Sequence, residues 1–531
     1  MKRAFLLLHV AALLAAAACA APEPPSGGIL RYRMPEEPSN LDPFQASDDM
    51  SYVFIYPIFD GLVEFEPGSM AVRPALAESW SVSDDGRTYT FTLRDGIRFH
   101  NGSPVGADDV VYTIRRALTR ESRSRKRSYF RAIEGSDAFW AGETEDLAGV
   151  RAVDPRTVRI TLSYAYSPFL QVLASEAGSI LPEEVYSDPN QAYLRHPVGA
   201  GPFRFESWEP SISMTLSRFE RHWKERPEAP IQGISFRFIE SASTALEEYR
   251  AGNLDFTMEI PPGQRALVMS EMPSHFHSGQ RLAIFYIGFN HAHEPVKGNR
   301  ALRQAMIHAI DRQFIVDVLQ EGKDTLASGV LSPGMPGHDA ARAPLGYDPG
   351  ESARRLAEAG YPGGKGLPEI ELLVHETESF RQTSERIVAD LTRAGMPVRL
   401  DMMDMGAYIE ALTSDPVNGP PDTLFNLTWF PDWPDPDSFL AEQFASDGGG
   451  NFGRYANPEF DALVHRARSE ADPEVRAGLY RQADTILVDD AALIPIYWYG
   501  QDILLSPSVG RLKLSPMGFH ALAWEEMTLG G

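Results

Sequence analysis

From Pro74 the chain reads PALAESWSVSDDGRTYTFTLRDGIRFHNGSPVGADDVVYTIRRAL, and this stretch limits the fold more tightly than any other. Tyr89, Phe91 and Leu93 alternate with Thr90, Thr92 and Arg94, the period of a strand with one buried face. Asp85-Gly86, Asp95-Gly96 and Asn101-Gly102 are turn dipeptides that tolerate positive φ. The block predicts a β-meander. A helix should follow near Ala107, where Asp108 and Asp109 suit the positive helix end.

Other segments extend this pattern. VGAGPFRFESWEPSISMTLSRFERHW (198–223) alternates again and reads as further strands, and IFYIGFN (284–290) reads as a buried strand. In NRALRQAMIHAIDRQFIVDVLQEG, the residues Leu302, Met306, Ala309, Ile310 and Leu319 mark one helix face, with Asn299 as cap and Gly322 as stop. Later helices begin at Asn457-Pro458 and Asp472-Pro473, each a capping residue followed by proline at the first helical position. LIPIYWYG is strand-like and closes the series. Mixed strands and helices imply α/β lobes, and 531 residues exceed what one core serves, so two or three domains are expected.

Lys2 and Arg3 precede AFLLLHVAALLAAAACAAPEPPSGG, which has the charged start, short apolar run and small-residue end of an export signal. Cys19 is the only cysteine, so no intramolecular disulfide can form. It resembles the lipidated cysteine of a bacterial lipoprotein, with residues 1–19 as signal peptide and 20–27 as tether. Ala16 stands where that pattern usually has Leu, and Ala18-Cys19-Ala20 also fits a cut that would release a soluble protein. Both readings place the chain outside the cytoplasmic membrane, in the cell envelope or periplasm. The formal charge of −24, from 49 basic and 73 acidic residues, argues against a nucleic-acid partner.

The meander block, VGAGPFRFESW, IGFN with ALRQAMIHAIDR, AEAGYPGG and FGRYANPEFDALVHRA occur in one order and spacing. In these segments the chain resembles the extracellular solute-binding proteins of family 5, the peptide- and nickel-binding components of ABC importers. One departure is HEPVKGNRALRQA, where the family commonly has Asp before the helix. The resemblance implies a two-lobed periplasmic-binding-protein fold of class II, with an extra subdomain inserted in lobe I. Lobe I would be assembled from 28–60, 196–280 and 496–531, the inserted subdomain from 61–195, and lobe II from 281–495. The chain would then cross the hinge near 280 and 495, and the lobes would close on a ligand.

WFPDWPDPDSFL (429–440) crowds two tryptophans, three prolines and three aspartates into twelve residues. In peptide-binding relatives a Trp-x-x-Asp element supplies the aspartate that holds the ligand α-ammonium, which matches Trp429 and Asp432 here. A buried ammonium needs such a partner to recover its desolvation cost. Pro431 and Pro434 stiffen the loop, and Trp429 and Trp433 can wall a cation. Thr428 offers strand-like backbone for the peptide main chain. Asp435 and Asp437 read as turn and capping groups. Arg381 matches the arginine that meets the ligand carboxylate in dipeptide-binding relatives, through paired donors. Glu37, Tyr129 and Tyr499 lie in segments that line the cleft or hinge of relatives.

His291 with His293, and His275 with His277, read as exposed strand-end histidines, since no compact metal-ligand set appears. RESRSRKRSYFR (120–131) reads as a solvated helix end or a docking patch. No nucleophile elbow, P-loop or dinucleotide fingerprint is present, and HETES (375–379) lacks the second His of a zincin. The resulting expectation is a monomeric, non-enzymatic receptor without cofactor. It would deliver peptides to an ABC permease and ATPase and reach the membrane through its lipid anchor. The alternatives are the same fold serving a nickel chelate, haem, sugar or other cationic small molecule, and an exported hydrolase.

Overall fold

Two antiparallel strands, Phe276–Phe289 and Leu493–Leu505, run through both halves of one eleven-stranded sheet. The structure is a computed structural model and describes residues 28–530, except 47, 226, 229, 416, 418, 421, 422 and 519–521. The expected signal peptide, Cys19 and the expected tether lie outside the described residues.

Outward from the long pair in one direction come Leu424–Trp429, Ile370–His375 and Val398–Met403. In the other come Phe256–Thr257, Ile29–Met34, Gly233–Phe238, Ser213–Arg218 and Phe203–Glu209. IFYIGFN is buried on both faces, which is why it reads as a continuous apolar run. Phe285, Ile287 and Phe289 join one core with Leu302, Met306 and Ile387. Ile284 and Tyr286 join another with Phe439, Phe460 and Tyr480. A third core belongs to the other half of the sheet and gathers Leu30, Tyr32, Phe54, Phe91, Phe169, Phe236 and Trp524.

The ladder between the long strands breaks between the halves. Gln280 faces Gly500 and the next pair is Ile284 with Trp498, so Arg281–Ala283 stand opposite Tyr499 alone. Leu282 N donates instead to Pro516 O at 2.7 Å. Gly500 is required here, because a Cβ would stand 2.2 Å from Lys323 O.

The meander forms as the alternation requires. Ala77–Val82, Thr88–Leu93, Thr157–Thr161 and Val150–Asp154 make an antiparallel sheet in that order, with Tyr89, Phe91 and Leu93 inward. Gly86, Gly96 and Gly102 have φ of 69°, 72° and 91°. Helix Ala107–Ala117 follows, its Asp109 carboxylate accepting from Gly106 N at 2.8 Å. This sheet belongs to a subdomain inserted in the first of two α/β lobes. Asn457 and Asp472 cap helices Pro458–Ser469 and Pro473–Asp489.

The helix after IFYIGFN departs from the sequence expectation. Arg300–Ala309 starts under the Asn299 cap but stops at Ile310 instead of running on to Gly322. Asp311 caps a new turn by accepting from Phe314 N at 3.1 Å, and Ile315–Leu319 is a π-turn. Arg312 is buried and donates to Pro495 O at 2.5 Å, so a tertiary contact outweighs local periodicity. Among the described residues no helix is long and apolar enough to cross a membrane.

Candidate functional site

The loop that carries Asp432 is fixed at both ends. Strand Leu424–Trp429 leads into it, and helix Pro436–Phe444 leads out. Asp435 caps that helix by accepting from Asp437 N at 2.9 Å. Its carboxylate also takes both Arg476 guanidinium nitrogens, at 2.7 and 2.6 Å. Asp432 N donates to Ser438 Oγ at 3.3 Å. Asp435 has the capping role expected of it, whereas Asp437 is no turn or capping group but a buried ion-pair partner, accepting from Arg468 Nε at 2.7 Å and Tyr166 Oη at 3.2 Å.

Asp432 is half-buried and meets Tyr129 from the inserted subdomain. The Tyr129 hydroxyl lies close enough to the Asp432 carboxylate to feel its charge. Burial, then the charges of Asp432 and Glu176, push its pKa far up, so it stays protonated and acts as donor. Trp433 packs edge-on against the same ring, with centroids 5.3 Å apart. Behind Tyr129 lies a buried ion pair. Lys126 Nζ stands 2.5 Å from Glu176 Oε1, 2.8 Å from Tyr52 Oη and 3.3 Å from Tyr129 Oη. Lys126 and Glu176 side chains are each 3% exposed.

Lys126 therefore corrects the reading of RESRSRKRSYFR as a solvated run, since one of its cations orients a tyrosine from inside. Its arginine neighbours mask it in the sequence, and Glu176, fifty residues away, carries no local signal. His291 is likewise not an exposed strand-end group: its Nε2 lies 3.0 Å from Ala492 O.

Thr428 Oγ1 and Tyr499 Oη lie 3.0 Å apart, and Phe430 packs against the Tyr499 ring at 5.4 Å. Trp429 packs on the second-lobe core, with Nε1 buried and unbonded. Two candidates stand apart from Asp432. Arg381 is half-exposed near the start of helix Glu378–Arg393, ion-paired with Glu376. The Glu37 carboxylate accepts from Trp208 Nε1 at 2.6 Å and Ser211 N at 2.9 Å, holding a turn.

Three further contacts join inserted subdomain and second lobe: Tyr166 to Asp437, Ser167 N to Arg468 O at 2.9 Å, and Ser167 Oγ to Glu470 O at 2.7 Å. Beside them a cavity of about 770 Å³ opens, with Trp433 on its wall. Among the described residues no group of three or more His, Cys, Asp or Glu side chains could hold a metal.

Known proteins share this organisation. The dipeptide-binding protein DppE of Bacillus subtilis is 29% identical over 517 residues, covering 94% of this chain and 92% of its own. Heme-binding protein A of Haemophilus influenzae is 30% identical over 482 residues, covering 87% and 86%. The Escherichia coli murein tripeptide binding protein MppA superposes with a TM-score of 0.80 at 24% identity, over 95% of this chain and 99% of its own. The model of the bacterial extracellular solute-binding proteins, family 5, matches residues 71–451. The chain belongs to that family, whose members are solute-binding proteins rather than enzymes.

Proposed function

We propose that this protein is the receptor of an ABC importer that captures peptides by their free α-amine and delivers them unchanged to a membrane permease. Asp432 holds the ammonium, and Tyr129, presented by Lys126, steadies the carboxylate from the opposite lobe. The observation that carries this reading is the approach of the Asp432 carboxylate to Tyr129 across the lobes, made by a loop clamped between a strand and a capped helix. A ligand amine at Asp432 would meet groups from both lobes and so favour their closed arrangement. Arg381 becomes available to a ligand carboxylate once it exchanges Glu376 for it. The lobes move about Arg281–Ala283 and Tyr499, where the shared ladder is already broken. The dipeptide-binding name of one relative supports the peptide class.

A second reading, haem, is favoured by the name of another relative. Calorimetry with Ala-Ala, N-acetyl-Ala-Ala and haemin separates the two. Binding of the free dipeptide with loss of the acetylated one is expected; equal binding of both, or binding of haemin alone, overturns the amine reading.

Cys19 is proposed as the lipid anchor. Cys19→Ser should move the protein from the membrane to the soluble fraction. Unchanged fractionation, or a mature protein beginning at Ala21, would favour the released form.

A further inference from the structure

The cavity beside Trp433 holds a carboxylate that the amine site does not use. Glu442 lies on helix Pro436–Phe444, the helix that follows Asp432, and lines the cavity with Trp433, Tyr164, Tyr166 and Gly449. Among the described residues its side chain makes no hydrogen bond or ion pair. The other carboxylates on the wall are committed: Asp437 to Arg468 at 2.7 Å, Asp447 to His465 at 3.0 Å, and Asp137 to Arg127 at 3.0 Å.

We infer that Glu442 forms an anionic subsite for a cationic side chain on the first residue of the bound peptide. This rests on the peptide reading above and adds a preference to it. The helix carrying Glu442 follows directly on the Asp432 loop, and burial, then the Asp432 and Asp437 charges, raise the pKa of its carboxylate. An incoming ammonium or guanidinium removes that repulsion. Aromatic faces on the same wall suit the stem and the charge of a lysine or arginine. Gly449 leaves the carboxylate room, since a Cβ there would stand 2.7 Å from Glu442 Oε1.

Trp433 borders the same cavity and is itself 5% exposed. A peptide with a basic first residue brings a cation for Glu442 and a stem for this aromatic wall. Arg131, at an exposed position on the inserted-subdomain wall, makes no ion pair with Glu442.

The test is calorimetry with Lys-Ala and norleucine-Ala, which differ at the end of the first side chain, on wild type and Glu442→Gln. Wild type should bind Lys-Ala about tenfold more tightly, the scale of one added charge pair. Glu442→Gln should bring the two peptides to within about twofold, with norleucine-Ala binding as before. Equal binding by wild type, or an unchanged preference in Glu442→Gln, overturns the subsite and leaves the peptide reading intact. Binding of neither peptide by wild type overturns the peptide reading and this inference with it.

Discussion

Thr428 and Tyr499 join their hydroxyls at 3.0 Å over a strand that belongs to neither of them. Their strands flank Phe276–Phe289 on its two sides, and the contact forms where Arg281–Ala283 leave the ladder. Burial pushes the Tyr499 hydroxyl up to about 12, so it remains neutral at any physiological pH. The bond ties a second-lobe strand to the crossing strand at the point where a hinge needs a firm edge. Closure about this point predicts a smaller radius of gyration by small-angle scattering when a dipeptide binds. An unchanged radius would argue against closure, and recovery of a cleaved peptide by mass analysis would revive the hydrolase alternative.

Asp432→Ala removes one side of the proposed ammonium contact. Affinity for a free dipeptide should fall by about 2–5 kcal/mol, as when one partner of a desolvated charge pair is truncated. The fall should be absent for an N-acetylated peptide, which has no charge to lose. Calorimetry on the four combinations isolates the term, and an equal loss for both peptides would point to a general packing defect.

Lys126→Met should destabilise the fold by about 3–5 kcal/mol, because it leaves the Glu176 carboxylate buried without its cation. The double variant with Glu176→Gln should recover much of that loss. Urea unfolding of wild type, both single variants and the double variant measures the coupling. Additive losses would mean that the pair contributes nothing as a pair.

Burial, then the Arg303 charge, lower the His291 imidazole from 6.5 to about 4. The folded value lies below the unfolded one, so the unfolded chain binds the extra proton between them. This stability is complete above the unfolded pKa and is lost as pH falls toward the folded one. The advantage of wild type over His291→Phe should therefore shrink by as much as about 2 kcal/mol between about pH 7.5 and about pH 5. Urea midpoints at the two pH values check it, and a constant gap would refute it.

Local chemistry was legible in the sequence wherever it acts over a few residues. Asp85-Gly86 and its two companions make their turns, and Asn457 and Asp472 cap the helices they precede. The break at Ile310 was not legible, because it depends on Arg312 reaching a carbonyl 183 residues away. In the candidate site, Asp432 and Tyr129 each carried a family resemblance and Trp433 was read from its residue type, yet their meeting is a property of the folded chain. Lys126 looked like its arginine neighbours, and only burial against Glu176 sets it apart. Glu442 sits in a helix whose sequence gives no sign of which face lines a cavity.

The sheet order has a consequence for how the chain is made. Ile29–Met34 emerges first and pairs on one side with Gly233–Phe238 and on the other with Phe256–Thr257, which in turn needs Leu493–Leu505. Tyr32 packs against Trp524, with ring centroids 5.5 Å apart. The first lobe thus cannot complete its core until Leu493–Leu505 and Trp524 have been made. Contacts of such long sequence separation form slowly. A premature stop codon before Leu493 would therefore leave Phe256–Thr257 without its partner strand and Tyr32 without the Trp524 ring, and the first lobe permanently open.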